Sequence, residues 1–335
     1  MGQDNRSVVL CGNTCSEDFV AKIKTLLPAS TFVVDQIEIT DFSDTEYKIK
    51  IRDNVRGRRV FVIQSTSMPT ENLMKLFMIT YDALHSSAKE INLIIPYFSF
   101  ARQDQKLESR EPITASLVAL LIQAAGANRV VCIDLHAGQI QGFFQKIPCD
   151  NLTAMPMFAA KIKQMFSQPE EEIKNICFVS PDVGGVKRVK KMSQIFGSPF
   201  AIFTKERDSK KADTLNGTGE LIGDVEGKHC IIVDDLSSTM KSIILAAEKL
   251  KKSGAKTISF FCTHFACIPK VVEKIKSQIN EIGFWKLITT NTHPNSKLAL
   301  DLGFEVLDLS AFWAEVITRI ENDQSLSELF EVKSF

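Results

Sequence analysis

Strand-length apolar runs recur along this chain at residues 59–63, 91–96, 130–133, 176–179, 200–203, 230–233 and 257–262. Between many of them lie segments of helical periodicity, at 71–85, 113–125, 156–166 and 239–253. A helix between two strands returns the chain so that the second strand runs parallel to the first. The alternation therefore predicts an α/β fold with mostly parallel sheets flanked by helices. Pro156 agrees with this reading, because the first turn of a helix has no use for the N–H that proline lacks.

With 335 residues the chain is long for one core and suits two. Residues 60–96 run strand, Ser/Thr turn, helix, Ser-x-Ala-Lys, strand, and residues 229–262 repeat that order. Such an echo predicts two similar halves. They would divide near residues 150–157, into an N-terminal domain over 1–153 and a C-terminal domain over 154–335 whose last segment packs back on the first. Chance likeness between ordinary β-α-β units would leave the same trace.

Forty basic residues balance forty acidic ones. No general field draws in nucleic acid or a membrane surface, so any anion site must be local. No apolar run approaches the roughly eighteen residues of a membrane span. The start, MGQDNRSVVLCG, has no signal-peptide core, and Arg6 stands where a myristoylation motif wants Ser or Thr. Eight cysteines are scattered, mostly inside apolar runs (Cys132, Cys177, Cys230, Cys262), as in a reduced cytoplasmic chain. Cys11 and Cys15 are close together, but no second Cys or His pair completes a zinc site.

The sharpest functional signal is HCIIVDDLSSTMKSI, residues 229–243. An apolar strand stops at Asp234 and Asp235, and Ser237 to Ser242 turn into a helix. Ligands of parallel α/β sheets bind beyond the carboxyl ends of strands. A phosphate suits the N–H groups of the following helix, with the Thr239 and Ser242 hydroxyls and the Lys241 charge beside it. The paired acids suit neighbouring sugar hydroxyls, so the stretch reads as a sugar-phosphate site. A plain helix cap needs a hydroxyl but not two acids.

Four further stretches follow strands. In FVSPDVGGVKR (178–188), Asp182 ends a strand, Gly184-Gly185 lets backbone approach a ligand, and Lys187-Arg188 supplies charge. In VVCIDLHAGQIQGFF (130–144), His136 is either a structural partner or a Mg²⁺ ligand, directly or through water. In IIPYFSFARQDQK (94–106), Arg102 suits phosphate and Gln103 a base edge, unless the stretch is a solvated loop. In ITDFSDTEYKI (39–49), Phe42, Asp44 and Glu46 alternate; in an extended segment they would share a face able to stack on a base, though an edge strand reads equally well. Two long polar stretches, 104–112 and 205–228, read as lids, binding loops or disordered segments. In the second, Gly217 and Gly219 would permit motion, with Lys205 and Arg207 at its root. Neither a Walker A sequence nor a G-x-G-x-x-G is present.

Taken in order, DFSDTE, IIPYFSFARQD, SREPITA, DLHAGQIQGFF, SPDVGGVKR, TKER and VDD with its Ser/Thr turn resemble the ribose-phosphate pyrophosphokinases. The match runs from about Phe42 to Ser253. The resemblance implies two domains of the type I phosphoribosyltransferase kind and a homo-oligomer, usually a hexamer of dimers. It implies Mg²⁺-dependent transfer of the pyrophosphoryl group of ATP to ribose 5-phosphate. By the same resemblance Asp234, Asp235, Ser238, Thr239, Lys241 and Ser242 belong to the ribose-phosphate loop, and His136 and Asp182 to the metal. Arg102 and Gln103 go to ATP, with Phe42, Asp44 and Glu46 on its adenine side across a dimer interface. Lys205 and Arg207 fall on the catalytic loop.

The chain departs from the family pattern D-D-x-x-D-T-x-G-T. Ser238 replaces the third acid, Met240 takes a slot normally small, and Lys241 takes the glycine. A bulky Met240 would crowd the 5-phosphate unless it points away. Leu107 stands where some relatives have an acid. These changes keep open a non-catalytic regulatory relative that associates with active subunits. A phosphoribosyltransferase is a further alternative, but it leaves the DFSDTE and ARQD stretches without a task.

Overall fold

The computed structural model describes residues 5–166, 171–204 and 219–330. Two compact units emerge. Unit 1 comprises Met1–Thr153, Thr292–Pro294 and Asp308–Glu328, and unit 2 comprises Ala154–Asn291, Asn295–Leu307 and Leu329–Phe335.

Unit 1 holds β1 (Ser7–Cys11), α1 (Glu17–Leu26), β2 (Phe32–Gln36), β3 (Glu38–Asp41), β4 (Tyr47–Lys50), β5 (Arg59–Ile63), α2 (Glu71–His85), β6 (Glu90–Ile95), α3 (Thr114–Ala124), β7 (Arg129–Ile133) and β8 (Cys149–Leu152). Six of these strands form one parallel sheet in the order β2-β1-β5-β6-β7-β8. Its inner strands are apolar on both faces, the pattern of a sheet covered on both sides. The antiparallel hairpin β3–β4 stands apart from that sheet. It rests on α2, with the Lys75 ammonium 4.8 Å from the centre of the Tyr47 ring.

Unit 2 holds α4 (Met155–Met165), α5 (Glu171–Lys174), β9 (Ile176–Ser180), α6 (Val186–Phe196), β10 (Phe200–Phe203), β11 (Leu221–Ile222), β12 (His229–Ser237), α7 (Lys241–Lys252), β13 (Thr257–Phe265), α8 (Pro269–Ile282), β14 (Lys286–Thr290), α9 (Ser296–Ala299) and β15 (Glu305–Leu307). The sheet order is β11-β10-β9-β12-β13-β14-β15. All pairings are parallel except that of the short edge strand β11. Without β11, this order repeats that of unit 1 strand for strand, and the echoed segments β5–α2–β6 and β12–α7–β13 hold equivalent places. The last helix, α10 (Ser310–Glu321), belongs to unit 1.

Three sequence expectations need correction. The strand at 230–233 does not stop at the acids: β12 continues to Ser237, because β13 still pairs with it through Leu236↔His264 and Ser237↔Phe265. The stretch 205–228 is not all loop, since Leu221–Ile222 adds a strand against Ile202 and Phe203. Gly219 does not serve motion either; a Cβ there would sit 1.9 Å from the Thr204 carbonyl oxygen, so close packing demands glycine. Lys205, Arg207 and Gly217 lie outside the described residues.

Candidate functional site

In unit 2, β9 and β12 run side by side as far as the pair Ile232↔Val179. Beyond it β9 turns away, and Asp182 caps the short turn Val183–Gly185 by accepting the Gly185 N–H at 3.2 Å. A Cβ on Gly185 would lie 2.5 Å from Ser180 Oγ. Its glycine therefore answers to the packing of its own turn, where the sequence suggested ligand approach.

Asp234 and Asp235 lie on β12 where β9 no longer flanks it. Arg188, in the first turn of α6, reaches both acids. Its Nη1 donates to Asp234 Oδ1 at 3.0 Å, and its Nη2 stands 3.0 Å from Asp235 Oδ1. The Asp235 N–H also donates to Asp234 Oδ1 at 3.0 Å. Asp235 is 5% exposed. Burial first, and then the neighbouring Asp235, push the Asp234 carboxyl up from its ordinary value, while Arg188 pulls it down. The sequence marked Arg188 as a source of charge; the acids take up that charge. Its only sequence signal was a cation soon after a Gly-Gly turn.

The connection from β12 to α7 is tighter than the sequence suggested, because α7 begins at Lys241 instead of Thr239. Met240 makes the bend in the left-handed region, at φ 55°. Its side chain is 2% exposed and belongs to the core cluster that also holds Ile243, Ile244 and Phe265. It therefore points away from the turn. Thr239 and Lys241 are exposed, and Ser238 and Ser242 half-buried. Met240 makes no side-chain cap, and Thr239 Oγ1 accepts only the Lys241 N–H, at a long 3.5 Å, so the later first-turn donors and the dipole of α7 can serve an anion.

In unit 1 the candidate residues follow β3, β6 and β7. Phe42, Asp44 and Glu46 do not share a strand face: they form the tip of the β3–β4 hairpin. The Phe42 N–H donates to the Glu46 carbonyl at 2.7 Å, the Thr45 N–H to the Phe42 carbonyl at 3.1 Å, and the Glu46 N–H to the Asp44 carboxylate at 3.2 Å. Thr45 takes φ 73°, as the last residue of a three-residue hairpin loop does. Alternation reads as a strand until such a turn breaks the period, and no glycine or proline announced this one. The Phe42 ring stands 51% exposed. Arg102 and Gln103 are exposed after β6, where Gln103 Oε1 accepts from the Thr114 hydroxyl. His136 is exposed after β7. The stretch 104–112 forms no helix or strand and is held from within, since Glu111 Oε2 accepts the Leu107 and Glu108 N–H groups at 3.0 Å each.

Residues 8–126 match the N-terminal domain of ribose phosphate pyrophosphokinase, and residues 148–292 the phosphoribosyl transferase domain. The ribose-phosphate pyrophosphokinase of Fusobacterium nucleatum is 44% identical over 297 residues, spanning 88% of this chain and 89% of that protein. That of Campylobacter jejuni is 43% identical over 291 residues, spanning 86% and 89%. The chain belongs to the ribose-phosphate pyrophosphokinase family. The crystal structure of phosphoribosylpyrophosphate synthetase from Mycobacterium smegmatis superposes with a TM-score of 0.82 at 30% identity, over 95% of this chain and 100% of that one.

For a ribose-phosphate pyrophosphokinase the donor set matters more than any cage. Among the described residues, no three His, Cys, Asp or Glu side chains gather to hold a bare cation. Mg²⁺ typically keeps several waters and takes one or two carboxylates together with substrate phosphates. The Asp182 carboxylate, at a strand end beside the acid pair, fits that requirement. Burial pushes Cys177 up to about 11 and Cys230 and Cys267 up to about 12, so these three thiols do not offer a nucleophile. All eight thiols are free of disulfides. Among the described residues no helix is long and apolar enough to cross a membrane.

Proposed function

We propose that this chain transfers the pyrophosphoryl group of ATP to ribose 5-phosphate, forming 5-phosphoribosyl 1-pyrophosphate and AMP for nucleotide biosynthesis in the cytoplasm. The anomeric hydroxyl oxygen attacks the β-phosphorus, the bond from that phosphorus to the α,β-bridging oxygen breaks, AMP leaves, and the hydroxyl proton passes to solvent. The observation that carries this reading is the β12–α7 turn, which joins two carboxylates held by Arg188 to a helix N-terminus that Met240 leaves without a side-chain cap. One sugar phosphate satisfies both.

Asp234 and Asp235 accept from the ribose hydroxyls. Ser238, Thr239, Lys241, Ser242 and the first N–H groups of α7 hold the 5-phosphate. Arg102 and Gln103 bind the nucleotide, Phe42 stacks on adenine, and Asp44 and Glu46 accept from its amino group. Lys205 and Arg207 bring positive charge to the transferring group, whose transition state asks mainly for alignment and charge stabilisation. Asp182 and His136 would hold Mg²⁺, which neutralises charge on the phosphate oxygens when bound. A homo-oligomer, built from dimers towards a hexamer, suits the apolar Leu117, Leu120 and Leu121, 42–57% exposed on the charge-free helix α3.

A non-catalytic relative drew its support partly from Met240 crowding the phosphate. With that side chain in the core, the support weakens. Phosphorus NMR of the protein with Mg-ATP, ribose 5-phosphate and inorganic phosphate tests the reaction. AMP and a sugar-bound pyrophosphate should appear together in equal amounts. Intact ATP would sink the catalytic reading and favour the regulatory one, and ADP with phosphate would mean hydrolysis.

A further inference from the structure

Two adjacent residues on a strand send their side chains to opposite faces. Asp234 and Asp235 escape that rule, because both present Oδ1 to a single guanidinium. The Asp234 carboxylate folds along the chain onto the Asp235 N–H at 3.0 Å. Arg188 then joins the pair at 3.0 Å to each. Two features of the chain make room for that arm. β9 stops pairing with β12 at Ile232, two residues before the first acid. The Asp182 turn delivers α6 beside the vacated edge, with Arg188 in its first turn. The arm is largely enclosed, with 19% of its side chain exposed.

We infer that Arg188 is the positioning residue for sugar recognition, fixing Asp234 and Asp235 so that together they select a vicinal diol on the sugar phosphate. The inference rests on the proposed reading of these acids as sugar acceptors and goes beyond it. Arg188 touches no sugar itself; it acts through the two carboxylates. Left alone, two neighbouring carboxylates repel and turn apart. A planar fork with donors on both arms holds them at fixed spacing. Lysine is no substitute, because a single ammonium supplies charge without spanning two acceptors in a set geometry. The same side chain ties the acid pair to the helix that follows the Asp182 turn. The sugar acceptors and the turn proposed for the metal thus share one frame.

The test compares wild type with Arg188→Lys and Arg188→Gln, each first shown to be folded by circular dichroism. Binding of ribose 5-phosphate and of 2-deoxyribose 5-phosphate is measured by calorimetry, and turnover separately by AMP formation. A site built around a hydroxyl rejects the analogue that lacks it. Arg188→Lys should therefore weaken ribose 5-phosphate about tenfold and 2-deoxyribose 5-phosphate much less, with the KM for ATP held within about twofold. The preference for ribose over deoxyribose should collapse in both variants. A preference equal to that of wild type would overturn the inference, whatever happens to kcat, because a merely structural arginine lowers both sugars alike. If wild type binds neither sugar phosphate, the reading of the acids fails first, and the role of Arg188 falls with it.

Discussion

Met240 shows how one side chain decides what a turn can do. A left-handed backbone costs a non-glycine residue about 1–2 kcal/mol, and Met240 adopts it at φ 55°. Burial of the side chain in the unit 2 core offsets that cost. Truncating a buried methionine typically costs about 2–5 kcal/mol. Met240→Gly should therefore destabilise the protein by about 1–3 kcal/mol, the cavity outweighing the relief of strain. Affinity for ribose 5-phosphate should stay within about twofold, since the side chain faces away from the phosphate turn. Urea titration and calorimetry on one variant read both numbers. A tenfold gain in affinity would show that Met240 crowds the loop after all.

At the scale of elements, α10 is held to unit 1 by its two ends. At its start Asp308 accepts the Ser310 N–H at 2.9 Å and the Ser310 hydroxyl at 2.6 Å, and pairs with Lys22 of α1 at 2.8 Å. At its end Arg59 donates to the Ile320 and Glu321 carbonyls at 3.1 and 2.7 Å. Burial pushes the Asp308 carboxyl up, but the bonds from Lys22 and Ser310 outweigh it and hold the group below the usual aspartate range. An acid whose pKa is lower folded than unfolded stabilises the fold above its unfolded pKa and loses that contribution as pH falls. Asp308→Ala should thus cost about 1 kcal/mol at pH 7, the worth of a helix-end acceptor with an exposed ion pair. The difference from wild type should shrink below about pH 4. Trp313, 1% exposed on α10, reports this by fluorescence in a Trp285→Phe background. A gap that stays constant down to pH 3 would refute the role.

For the whole molecule, the chain interleaves its two units: after building most of unit 2 it returns to unit 1 for Asp308–Glu328. A chain ending at Leu307 would leave Ser7 without its bond to Glu321 and strip α1 of its contact with α10, whose Trp313, Val316 and Ile317 are buried. Hydrogen exchange of that truncated chain should show β1 and α1 amides exchanging at least about a hundredfold faster, with β12 and β13 protected as in the full chain. Equal protection in β1 would mean that α10 is dispensable to unit 1.

The sequence by itself determined the parallel α/β architecture, through apolar runs and helical segments whose periods need no tertiary context, as at 59–63 and 71–85. It also determined the family, since seven motifs in order survive any local uncertainty. Strands such as Phe32–Gln36 and Glu305–Leu307 escaped it, being short and only partly apolar, recognisable once a neighbour pairs with them. The tertiary structure alone decided where β12 ends, because β13 and not the acids sets its hydrogen bonds. It decided that Phe42, Asp44 and Glu46 cap a hairpin, because a left-handed Thr45 is invisible to alternation. It also decided the inward turn of Met240 and the grip of Arg188 on two acids. Both depend on packing between residues far apart in the chain, for which local spacing carries no information.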